Sequence, residues 1–288
     1  MNFTLHLKGE DMERLSQNES QQNVISSTQA AFLMPTEFCP CQDQKIKDLA
    51  QLLTQNAWDE SEAASLIFHW VRDRLLYRLG LYQHTALETI AYKGGSCSNK
   101  ANVMVALLRS LGIPAGYHVS VVKTREYFGP YCVPRFNQFM SYRSYHVYVG
   151  VFLNGRWVAC DPTDDYQLTN GTQHIAPQAR PVSFDGKKDA LLNLDPSHIL
   201  QESERCLPSI DEIFCKKPRI PQLALDVINL YVDFMRTDGI KHSEVSTFVD
   251  AFFDWFSKTH PQMYKAFLDL EQWWQANQQD KKRLENHV

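Results

Sequence analysis

No apolar run in this chain approaches the roughly 18 residues that argue for a membrane span, so no membrane partner is expected. Nor does the N-terminal stretch combine a basic segment, an apolar segment and a small-residue cleavage site, and the expected compartment is therefore cytoplasmic. Positive charge is not in excess. Lys and Arg number 29 against 33 Asp and Glu, a net charge of −4, which argues against a dedicated nucleic-acid binder. Also missing are a Gly-rich phosphate loop, an EF-hand loop and any internal repeat. Cys39-Pro-Cys41 is the one pair that suggests a metal. It lacks a second CxxC or paired His, and a single residue between ligands is unusual for zinc, so neither metal nor cofactor is expected. The seven cysteines, an odd number, read as reduced thiols rather than a disulfide framework.

What is present is enough to build a large core, with 44% hydrophobic residues in 288. Residues 1–43 read as an irregular N-terminal arm, rich in Ser, Gln and Asn from Ser16 to Ser27, with one strand at Phe3–Leu7. A core follows over 44–207: Ile46, Leu49, Leu52 and Leu53 mark a helix, Ala63–Leu76 a second, and Tyr117–Val122 a strand. Residues 166–218 read as loop-rich, with turn signals at Asn170-Gly171 and Asp185-Gly186. Residues 208–288 form a C-terminal helical extension, its helices at Leu223–Met235, Ser243–Ser257 and Gln262–Asn277 carrying an aromatic set more typical of core packing than of a cofactor box.

The stretch Gly94-Gly95-Ser96-Cys97 opens a helix whose buried face is Ala101, Met104, Val105, Leu108 and Leu111. Ser96 is its N-cap, Gly112 its terminator, and Pro114 prevents continuation. Unpaired peptide N–H groups and the dipole at a helix N-terminus favour thiolate over thiol, which is how nucleophilic cysteines are made. The two glycines are expected to leave the approach to the sulfur uncluttered. A free cysteine is commonly just a small buried hydrophobe, so Cys97 needs a base.

The base comes from counting along a hairpin. Tyr145–Leu153 and Arg156–Cys160 are rich in β-branched and aromatic residues and flank Asn154-Gly155, the signal for a two-residue type I′ turn. Counting outward pairs Leu153 with Arg156, Tyr148 with Asp161 and His146 with Thr163. His146 and Asp161 then lie diagonally on one face, within side-chain reach. A carboxylate there fixes the imidazole tautomer while the other ring nitrogen takes the thiol proton.

These motifs, in this order, resemble the transglutaminase-like branch of the papain-like superfamily. The similarity rests on Ala64-Ser65-Leu66-Ile67-Phe68-His69-Trp70-Val71-Arg72-Asp73-Arg74-Leu75-Leu76-Tyr77, Gly-x-Cys97, Leu107–Ala115, the His146 strand, and Gly155-x-Trp157 leading to Asp161-Pro162-Thr163. It implies an α+β fold with the nucleophile helix packed on an antiparallel sheet, and a triad of Cys97 as nucleophile, His146 as base and acid, and Asp161 as orienting carboxylate. Two positions after the His the family often has an aromatic residue, matched by Tyr148. Two further on it often has an acidic one, where Gly150 departs. The Cys97 N–H is the natural first oxyanion donor; a second is not readable, with Tyr82, Gln83 and Tyr92 within upstream reach.

The resemblance implies acyl transfer through a thioester on Cys97: hydrolysis of an amide, transfer to an amine, or reaction with a carrier thioester, on a small-molecule, peptide or carrier-bound acyl substrate. A catalytically inactive binding or scaffolding module on the same fold is the alternative. Thr124–Ser144 reads as a long loop, either one wall or lid of the cleft or a solvated excursion or oligomer contact.

Overall fold

The computed structural model describes residues 29–129, 133–174, 180–215 and 220–285. The expected strand at Phe3–Leu7 and the Ser16–Ser27 stretch lie outside them. Helices α1 (Gln44–Thr54) and α2 (Glu60–Arg74) begin at Asp43 and Asp59, whose side chains accept from the backbone N–H groups of Lys45 and Glu62. The two-residue strands β1 (Leu76–Tyr77) and β2 (Gly94–Gly95) pair in parallel on either side of α3 (Ala86–Tyr92). Helix α4 (Cys97–Ser110) follows directly, and nearly all of its residues are buried. It closes as its sequence predicts. Gly112, at φ +80°, ends it, with Gly112 N–H donating to Arg109 and Ile113 N–H to Leu108 in a Schellman arrangement.

Strands β3 (Ala115–Lys123), β4 (Arg143–Leu153), β5 (Arg156–Cys160) and β6 (Ile199–Glu202) form one antiparallel sheet in the order β5-β4-β3-β6. Asn154 and Gly155 both take positive φ, 51° and 79°, as a type I′ turn requires, and Leu153 pairs with Arg156. This is the α+β arrangement expected, with α4 against the sheet: Val103, Leu107, Val147, Val149 and Val158 share one core with Ile67 and Phe68 of α2.

Three expectations need correction. Thr124–Ser144 is not a bare loop: it carries α5 (Thr124–Phe128), α6 (Pro134–Asn137) and the start of β4. The region 166–218 holds α7 (Tyr166–Thr172), strand β6 and α8 (Asp211–Phe214). Asn170-Gly171 lies inside α7 rather than in a turn, because the glycine permits close packing. A Cβ there would come within 2.4 Å of the Met235 carbonyl oxygen. That carbonyl belongs to α9 (Gln222–Asp238), which with α10 (Val245–Thr259) and α11 (Pro261–Glu285) encloses a second core of Tyr231, Phe234, Phe248, Phe252, Phe256 and Phe267. Among the described residues no helix is long and apolar enough to cross a membrane.

Candidate active site

Ser96 and Asn99 build the turn that presents Cys97. Asn99 Oδ1 accepts from the Ser96 N–H at 3.1 Å and from its hydroxyl at 2.8 Å, while Asn99 Nδ2 donates to the Leu81 carbonyl at 2.7 Å. Cys97 is the first residue of α4 and half-buried, its Sγ 3.8 Å from the Tyr145 carbonyl oxygen on β4. The glycines before it are both buried in β2, and a Cβ on Gly95 would stand 2.5 Å from that of Asn99, so Gly95 lets the strand pack on the helix start.

The hairpin ladder runs from the turn to Val149–Cys160 and then stops. Asp161 N–H turns away to the Ala190 carbonyl at 2.9 Å, and its Oδ1 accepts from the Thr163 N–H at 3.0 Å. The expected pairs Tyr148–Asp161 and His146–Thr163 are therefore not part of the ladder, since Pro162 has no N–H with which to extend it. The side chains meet all the same: His146 Nε2 lies 2.7 Å from Asp161 Oδ2, and each residue is 1% exposed. Burial disfavours the imidazolium, but the charge of Asp161 and the hydrogen bond to it, with Cys97 adding to both, outweigh burial and push the His146 pKa up to about 10. Cys97 thus lies within interaction range of the imidazole.

Several neighbours were not foreseen. Lys100, one turn along α4 and fully buried, donates to the Arg72 carbonyl at 3.0 Å and the Thr163 carbonyl at 2.7 Å, tying the Asp161-Pro162-Thr163 turn to the nucleophile helix. Burial lowers its pKa to about 8, partly offset by Asp165 and Asp164. Tyr127 of α5 places its hydroxyl 3.0 Å from His146 Nδ1. Of the upstream oxyanion candidates, Tyr82 is held neutral beside Cys97, its phenol pushed up to about 12 by burial and by the Cys97 charge. Tyr92 is exposed and stands edge-on to His84. Asp164 is half-buried; burial and the charge of Asp161 raise its carboxyl to about 6. A lysine within an otherwise small and apolar helix face was a signal available in the sequence; nothing comparable marked Tyr127.

Residues 47–162 match the family model of the transglutaminase-like superfamily. This segment is transglutaminase-like. The match takes in the nucleophile helix, the His146 strand and Asp161-Pro162. No curated protein matches the sequence. Among solved structures, the chain is similar to a protein of Cytophaga hutchinsonii provisionally described as a cysteine protease, at 24% identity over 46% of this chain and 40% of that one, with a TM-score of 0.35. A protein of Parabacteroides distasonis, provisionally described as a protease, is similar at 12% identity over 58% and 31% of the two chains, with a TM-score of 0.32. The similar region spans less than half the length of either.

The transglutaminase-like segment is fastened to α9 beside the site. Arg236 donates to Asp165 Oδ2 at 2.7 Å and to the Tyr77 carbonyl at 2.8 Å, and Asn229 exchanges hydrogen bonds with the Leu79 backbone at 2.8 and 2.9 Å. Burial works against the Asp165 carboxylate, yet the hydrogen bond and charge of Arg236 hold its pKa below the ordinary value.

Proposed function

We propose that this protein is a cysteine-dependent acyl-transfer enzyme in which Cys97 attacks an amide or thioester carbonyl, as an amidase or an amine acyltransferase. His146 takes the thiol proton and returns it to the leaving group; Asp161 orients the imidazole and stabilises its charged form. The Cys97 N–H, at the first position of α4 where no intrahelical acceptor exists, is the oxyanion donor. The observation that carries this reading is the buried His146–Asp161 pair at 2.7 Å beside a thiol at a helix start. The transglutaminase-like match supports the broader class, a cysteine-dependent hydrolase or transferase. Half-burial of Cys97 supports an active site over a retired scaffold, because the residue is not fully enclosed in the core.

Alkylation of Cys97 by iodoacetamide at pH 7 tests it. Wild type is expected to react roughly tenfold or more faster than His146→Ala, because the thiolate is the reactive species. Equal, slow alkylation in the two proteins rejects an activated thiol.

A further inference from the structure

An imidazole serving a cysteine nucleophile must offer one nitrogen twice, first to receive the thiol proton and later to receive the proton of whatever resolves the acyl-enzyme. In this chain Nε2 is committed to Asp161, so Nδ1 is the working nitrogen. It is not open. The Tyr127 hydroxyl sits 3.0 Å from Nδ1, and the two rings lie 5.2 Å apart at 39°. Nδ1 faces both Cys97 and this phenol: with the imidazole charged, Nδ1–H is shared between the Cys97 sulfur and the phenol oxygen. Once the sulfur is acylated and a weak acceptor, the phenol is the partner that stays, donating to Nδ1 when the imidazole is neutral. In both states the phenol oxygen occupies the place at which a water, held by His146 for attack on a thioester, would have its oxygen. Burial and the charges of Cys97, Tyr77 and Asp164 raise the phenol pKa well above its ordinary value, so it stays a neutral hydroxyl. Tyr127 is half-buried and borne on a single short helix, α5.

We infer that Tyr127 is a specificity-determining residue that shuts water out from His146 Nδ1 in the acyl-enzyme, so that the thioester persists until an acceptor able to displace the phenol enters. The inference rests on the proposed roles of Cys97 and His146, and makes transfer rather than hydrolysis the favoured outcome at this site. In the suppressed reaction, water oxygen bonds the acyl carbon as Nδ1 takes its proton. The C–S bond then breaks, Cys97 leaves as thiolate, and the carboxylic acid is released.

The test acetylates the full chain with 4-nitrophenyl acetate and follows loss of the acetyl group by intact mass, with Cys97→Ser as control for other sites. Iodoacetamide alkylation of unacylated protein is measured in parallel. Tyr127→Phe, which removes only the hydroxyl, is expected to hydrolyse acetyl-Cys97 about tenfold faster or more, while alkylating at least as fast as wild type. Tyr127→Ala is expected to hydrolyse it at least as fast as Tyr127→Phe. Deacetylation in Tyr127→Phe that is unchanged or slower, with alkylation as in wild type, overturns the inference and leaves the Cys97–His146 reading standing. Deacetylation and alkylation that fall together overturn it too, assigning Tyr127 a purely structural role. Wild-type alkylation no faster than in His146→Ala overturns the proposed function and this inference with it.

Discussion

At the scale of single residues, charge burial decides how the site behaves with pH. Folded His146 holds its proton up to about 10, against about 6.5 for an unfolded histidine. The folded state therefore binds more protons across that interval, and stability falls there as pH rises. The contribution of the charged pair is complete below about pH 6.5 and is lost as pH passes through about 10. The melting temperature of wild type should exceed that of His146→Gln most at pH 6, with the gap closing toward pH 10; a gap independent of pH contradicts a charged His146. Cys97, His146 and Asp161 were all legible in the sequence, because a helix cap and a two-residue turn impose local geometry by short-range rules. Tyr127 and Lys100 were not, since their roles come from segments distant in the chain: Tyr127 reaches a strand beyond its own helix, and Lys100 ties together Arg72 and Thr163.

At the scale of elements, the segment between β3 and β4 carries helices that its sequence does not announce. Helices α5 and α6 are too short to be stable alone, given the cost of helix nucleation. Helix α6 holds because Phe136 and Phe139 enter the aromatic core of α9–α11, Arg135 pairs with Glu271 while lying 4.1 Å over Phe253, and Trp274 Nε1 donates to the Gln138 carbonyl at 2.8 Å. Strand β6 is likewise mostly exposed and joins β3 through a register shift, so its sequence carries little alternation to read. Helix α9 makes the most consequential contact. Arg236 and Asp165 side chains are 4% and 1% exposed, so Arg236→Ala removes the ion-pair partner of a buried carboxylate that keeps only its bonds from the Tyr77 and Leu168 N–H groups, a change that costs about 3 kcal/mol. Urea unfolding should register that loss, and an effect below about 1 kcal/mol, the range of surface pairs, rejects a structural role for this bridge.

For the whole molecule, the two cores are joined by contacts rather than by sequence proximity alone. Tyr77 and the 133–139 residues belong to the aromatic core although they come from the half that carries the nucleophile. Arg78–Asp233, Asn229–Leu79 and Arg236–Asp165 cross the same junction. Elements coupled through a shared core, a buried ion pair and these hydrogen bonds should not melt separately. Calorimetry is expected to give a single transition with matching calorimetric and van't Hoff enthalpies, and two resolved peaks contradict the coupling.

By itself, the sequence determined the helix that starts at Cys97 and the Asn154-Gly155 hairpin whose strands bring His146 and the Asp161 segment close, because capping, turn type and strand alternation act over a few residues. Tertiary structure alone decided the rest: where the ladder breaks after Cys160, which lysine holds the Asp161 turn, and what covers the free nitrogen of His146. Those outcomes depend on groups more than a dozen residues apart competing for the same buried partners, and no local pattern records which of them wins.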